Sequence, residues 1–178
     1  LGGLVEGNVA AYNGAYGIWT DYGNNIVVKN NIVHDNANMG LENEAGHGGI
    51  WQGNVSFRNK IGFRNYSSSD VMVKDNILYD NGVGVKYYFR RSRNLFFGPE
   101  WLKKKMANYE KRYPKEIIYD WLKNYLEYGF PCGHVRDNVT ENNLLLNNRI
   151  NFDTTSLRHL QNPQDKQFVT GNIFRNNV

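Results

Sequence analysis

The sequence predicts an all-β solenoid, one domain made of stacked coils of about 22 residues. Three observations predict it. An Asn followed five positions later by a second Asn is read as the repeat in six copies, Asn8/Asn13, Asn31/Asn36, Asn54/Asn59, Asn76/Asn81, Asn143/Asn148 and Asn172/Asn177. The first four copies begin 23, 23 and 22 residues apart. Each first Asn is followed by an aliphatic residue (Val9, Ile32, Val55, Ile77, Leu144, Ile173), and five are preceded at three positions by Val5, Val28, Trp51, Val73 or Val169. Fixed apolar slots at a fixed period mark units that bury their apolar side only against their neighbours.

Each coil holds short strands. Ile26-Val27-Val28-Lys29 and Val71-Met72-Val73-Lys74 follow a strand period rather than a helical one. About 22 residues hold three short strands and three turns, and stacked coils pair their strands in parallel about 4.8 Å apart. With 18 Gly and only 4 Pro, the composition suits tight turns that need the left-handed backbone region. This pattern resembles the right-handed parallel β-helix of pectate-lyase-like proteins. The Asn pairs are expected to form ladders at the corners, with six coils stacking Asn8, Asn31, Asn54, Asn76, Asn143 and Asn172 in one column.

The organisation is read as β-helix over 1–89, a helical insertion over 90–133 and β-helix again over 134–178. Within the insertion, Ile117, Ile118, Trp121, Leu122 and Tyr125 fall on one helical face, between Pro114 and Gly129. An earlier helix is expected over 99–109. Trp101 and Arg112-Tyr113-Pro114 are similar to insertions in secreted bacterial β-helix proteins. The chain begins in mid-repeat, so it is read as a segment of a longer protein, expected to be secreted, periplasmic or cell-surface and monomeric.

Net charge is +4 over 178 residues, with no nucleic-acid-binding motif beside it, so no nucleic-acid partner is expected. No apolar run is long enough to span a membrane. Cys132 stands alone, so no internal disulfide forms. His34, His134 and His159 show no zinc spacing, and no Gly-rich phosphate loop suggests a nucleotide; no cofactor is expected. Asn65-Tyr66-Ser67 and Asn138-Val139-Thr140 match the glycosylation pattern, as an Asn-rich chain does by chance.

Counting from the Gly after each Asn pair, Ile18/Thr20, Leu41/Asn43, Phe63/Asn65 and Val85/Tyr87 face inward. Trp19/Asp21, Glu42/Glu44, Arg64/Tyr66, Lys86/Tyr88 and Asp153/Thr155 face outward. Asp21 and Glu44 share a slot on adjacent coils, which brings two carboxyls roughly 5–6 Å apart, near the spacing of retaining glycosidases. Like charges so close raise one pKa and leave one group protonated. Trp19 offers a flat surface for a sugar ring, His47 is expected in the same groove, and Tyr66 and Tyr88 extend the row. Glu42 shares its slot with Arg64 and reads as a coil-to-coil ion pair, or at most as a substrate contact.

Trp19-Thr20-Asp21, the Asn31–Asn36 turn and Glu44-Ala45-Gly46-His47-Gly48 resemble the active-site stretch of the β-helical β-xylosidases. The resemblance implies Asp21 as nucleophile and Glu44 as acid/base, with His47 and Trp19 shaping the sugar subsite of a retaining hydrolase. Gly49-Ile50 stands where that family carries Pro and an aliphatic run, which bears on substrate identity. Two other classes compete. A lyase or epimerase on an acidic glycan would use Arg64, Lys86, Arg90, Arg91 or Arg93, with Ca²⁺ held by Asp21, Glu42 and Glu44. A non-catalytic glycan-binding β-helix would use the same face without turnover. In every reading the partner is an oligo- or polysaccharide.

Overall fold

A computed structural model describes residues 2–89, 135–158 and 169–178. Among the described residues, sixteen strands form three parallel sheets. Sheet A takes β1 (Gly3–Glu6), β4 (Ile26–Lys29), β7 (Ile50–Gln52), β10 (Met72–Lys74), β13 (Val139–Glu141) and β16 (Ile173–Arg175). Sheet B takes β2 (Val9–Ala11), β5 (Ile32–His34), β8 (Val55–Phe57), β11 (Ile77–Tyr79) and β14 (Leu144–Leu146). Sheet C takes β3 (Ile18–Asp21), β6 (Met39–Glu44), β9 (Ile61–Tyr66), β12 (Val83–Tyr88) and β15 (Ile150–Asp153). The chain winds A to B to C in each coil, and β16 opens a sixth. The one helix among the described residues is α1 (Thr155–Arg158). The helices expected within 90–133 lie outside the described residues, as do Arg90, Arg91, Arg93, His134 and His159.

The corners explain the Asn pairs. At the corner between sheets A and B, Asn31 Nδ2 donates to Asn54 Oδ1 at 3.0 Å and to Val5 O at 3.0 Å. The Asn31 backbone N–H donates to that same Asn54 oxygen at 3.1 Å. Every buried polar atom of the rung is thereby satisfied, which a desolvated amide requires. The second ladder, Asn13–Asn36–Asn59–Asn81–Asn148, runs the same way between sheets B and C. The residue before each rung has positive φ, among them Asn30, Asp35, Asp75, Asp80, Asn142 and Asn147. That left-handed step turns the chain, and Asn and Asp tolerate it better than other residues with a Cβ.

One rung differs from expectation. Asn177, not Asn172, completes the first column: Asn143 Nδ2 donates to Asn177 Oδ1 at 2.9 Å. Asn172 stacks instead on Asn138 at 2.8 Å, in the corner between sheets C and A, with Asn138 Oδ1 accepting from Val71 N–H at 2.9 Å. The spacing within a pair is five in both settings, so Asn138/Asn143 aligns with Asn172/Asn177, and β16 pairs with β13 in sheet A. Asn65 and Asn138 are wholly buried, so neither glycosylation match is available to a transferase in the folded chain.

The core is a stack of inward columns. Val28, Trp51 and Val73 come from sheet A, Val33 and Leu78 from sheet B, and Leu41, Phe63 and Val85 from sheet C. Inside sheet C a polar column also runs from Thr20 Oγ1 to Asn43 Oδ1 (2.9 Å) and on to Asn65. Sheet C is therefore held rigidly from within, which fixes what its outer face presents.

Candidate functional site

The outer face of sheet C carries two side-chain columns in the order the repeat predicts. In one, Trp19 pairs with Glu42, Glu42 with Arg64, Arg64 with Lys86 and Lys86 with Asp153. In the other, Asp21 pairs with Glu44, Glu44 with Tyr66 and Tyr66 with Tyr88. Parallel register holds the Asp21 and Glu44 backbones one strand spacing apart, about 4.8 Å.

Asp21 is exposed and Glu44 half-buried at the end of β6. Partial burial raises the Asp21 pKa against the hydrogen bond it accepts from the Tyr22 backbone N–H. Glu44 is also raised, first by burial and then by the charge of Asp21. The Arg64 charge and a hydrogen bond from the Trp19 indole N–H oppose that rise. Trp19 is 48% exposed and stacks on Tyr16, with centroids 5.0 Å apart and planes 23° off parallel. The indole thus ties an open aromatic surface to one of the paired carboxyls.

Glu42 is the residue whose place in the sequence misleads most. Its slot faces outward, yet it has no solvent exposure. Arg64 clamps Oε1 through Nε at 2.8 Å and through Nη2, as the shared slot predicts. Oε2 is buried with no hydrogen-bond partner. Burial pushes this carboxyl up to about 7 against the Arg64 charge, and the charges of Glu44 and Asp21 add to the rise. The signal that finds Glu42 is positional: its slot neighbours on the adjacent coils are an indole and a guanidinium, and the guanidinium reaches far enough to clamp a mid-strand carboxyl.

The remaining candidates take structural partners. Lys86 Nζ bonds Asp153 Oδ2 at 2.7 Å and lies 5.7 Å from the Tyr88 ring, while the Arg64 guanidinium lies 5.0 Å from Tyr66. Tyr66 and Tyr88 meet edge to face at 5.1 Å. His47 lies in the corner after β6, where Nδ1 meets Ser69 Oγ and Asp70 Oδ2, each at 3.1 Å. Both groups converge on one ring nitrogen, so this Ser, His and Asp do not form a relay through the imidazole. Among the described residues no three His, Cys, Asp or Glu side chains are grouped to hold a metal ion, and Asp21, Glu42 and Glu44 form no such group. No helix among them is long and apolar enough to cross a membrane.

A family model described as the right-handed β-helix region matches residues 2–100, more than half of the chain. The chain belongs to the right-handed β-helix family. No curated protein and no solved structure matches it. Membership in the β-helix family agrees with the parallel coil described above, while the chemistry of this β-helix rests on its own residues.

Proposed function

We propose that this β-helix is a retaining glycoside hydrolase acting on an oligo- or polysaccharide with β-xyloside-like units. The observation that carries the reading is the in-register pair of Asp21 and Glu44 on the outer face of sheet C, beside the open Trp19 ring. Asp21, the more exposed, attacks the anomeric carbon while Glu44 gives its proton to the leaving oxygen, and the C–O bond breaks. Glu44, now ionised, then takes a proton from water, which attacks the same carbon and releases Asp21. The raised pKa of Glu44 favours the protonated form that the first step needs. A glycan substrate of this kind would place the protein outside the cytoplasm. The lyase alternative draws no support from Arg64 or Lys86, since each is held by a carboxylate.

Hydrolysis of aryl β-xylosides, with and without trapping by a 2-fluoro glycoside, tests the reading. Asp21→Ala should abolish the covalent glycosyl-enzyme seen by mass spectrometry. Glu44→Ala should slow turnover about 10²–10⁴-fold for poor leaving groups and much less for good ones. Full activity in both variants sinks the catalytic pair. Ultraviolet absorbance from a new double bond would instead establish a lyase, and binding without cleavage a glycan-binding module.

A further inference from the structure

Glu42 is the buried titratable group that the proposed reaction leaves unused. Trp19 of β3 lies on one side of it and Arg64 of β9 on the other. Arg64 spends both of its contacts on Oε1, so the carboxyl is compensated at one oxygen only. Oε2 is buried without a donor. A buried carboxylate oxygen that accepts nothing takes up a proton, but the resulting O–H then lacks an acceptor. A sugar hydroxyl completes it, because a hydroxyl accepts as readily as it donates. Trp19, half-exposed and resting on Tyr16, is the in-register neighbour of Glu42 on β3.

We propose that Glu42 is a substrate-reading residue whose Oε2–H donates a hydrogen bond to a hydroxyl of the sugar seated at Asp21 and Glu44. The proposal rests on the glycosidase reading and adds the group that recognises the sugar beside the reacting carbon. The charged and titratable groups facing Glu42 are Asp21 on β3, Glu44 on β6, and Arg64 and Tyr66 on β9. Lys86 is a coil further on and is held by Asp153. Of these only Arg64 favours an ionised Glu42, and burial outweighs it, so the donor persists up to about pH 7. The arrangement repeats a known device, a carboxylic acid kept neutral in order to donate.

The test is xylobiose binding to Asp21→Asn protein, which cannot be glycosylated, measured by calorimetry below and above neutrality. Affinity should fall about tenfold as pH rises through the neutral range, the worth of one hydrogen bond. Adding Glu42→Gln should keep the affinity and flatten its pH dependence, because the amide retains a donor. Glu42→Leu should cost the same tenfold at every pH, and a single deoxy-xyloside should bind the Leu and Gln proteins equally. Unchanged pH dependence in the Gln variant overturns the proposal even if the Leu variant fails to fold, as does an absence of xylobiose binding. The two readings separate: binding as described with aryl xylosides left uncut sinks hydrolysis alone, whereas cleavage with pH-flat binding sinks the Glu42 contact alone.

Discussion

The corner ladders and the outer columns of sheet C both bury polar side chains coil upon coil, yet they differ in how completely those groups are satisfied. Asn54 accepts from the Asn31 backbone and side chain and donates to Val28 O and Asn76 Oδ1, each bond 3.0–3.1 Å. Glu42, equally buried, satisfies one oxygen and leaves the other bare. A satisfied amide has one protonation state and one geometry, so it specifies structure. An unsatisfied carboxyl beside two others has states left to choose between, which suits it to a ligand. Burial alone does not separate these two groups; the hydrogen-bond count does.

The largest effect should come from breaking a rung. Asn54→Ala strands the Asn31 donors and the Val28 carbonyl in the interior, and urea denaturation should show a loss of about 3–6 kcal/mol. If the loss is under about 1 kcal/mol, water replaces the amide and the contrast with Glu42 dissolves.

Next in size is a pH effect at Glu42. Its folded pKa is raised from 4.5 to about 7, so its contribution to stability is full below about 4.5 and is lost as pH rises through about 7. That loss amounts to about 3 kcal/mol. Urea midpoints of the wild-type protein should therefore fall more steeply over this window than those of Glu42→Gln. Parallel curves would place the proton elsewhere in the carboxyl cluster.

The smallest effect has the opposite sign. Arg58, and then His34, hold Asp35 down to about 2 by hydrogen bonds. This contribution is present above the ordinary carboxylate range and is lost as pH falls toward 2. Arg58→Ala should remove the acid-side slope, a shift near the limit of detection in thermal melts because the pair is exposed.

Coil length, sheet direction and the slots of Asp21, Glu44, Glu42 and Arg64 were legible because a strand alternates faces and stacked coils repeat. The assignment of Asn172 to the first column failed because two corners use the same five-residue spacing. Only the partner strand distinguishes them, and β16 belongs to sheet A. The burial of Glu42 was hidden because alternation gives the direction of a side chain and not what its neighbours cover. The place of His47 after Glu44 puts it near the groove, and what the sequence does not show is that its ring bonds Ser69 and Asp70 of the next coil.

The corners also differ in how much chain they carry. From sheet A to sheet B every coil takes the same short step, as from Lys29 to Ile32 or from Glu141 to Leu144. From sheet C to sheet A the step is Asp21 to Ile26 in one coil and Tyr88 to Val139 in another. Asn76 nevertheless meets Asn143 across 67 residues with the same bond that joins Asn54 to Asn76 across 22. The rung has the same geometry whether 22 or 67 residues separate its partners. Sheet C ends at that tolerant corner, on the side of Asp21 and Glu44, so the chain beside these two carboxyls can be lengthened or exchanged without re-registering a strand. Strand register and connection length are thus set independently at this corner.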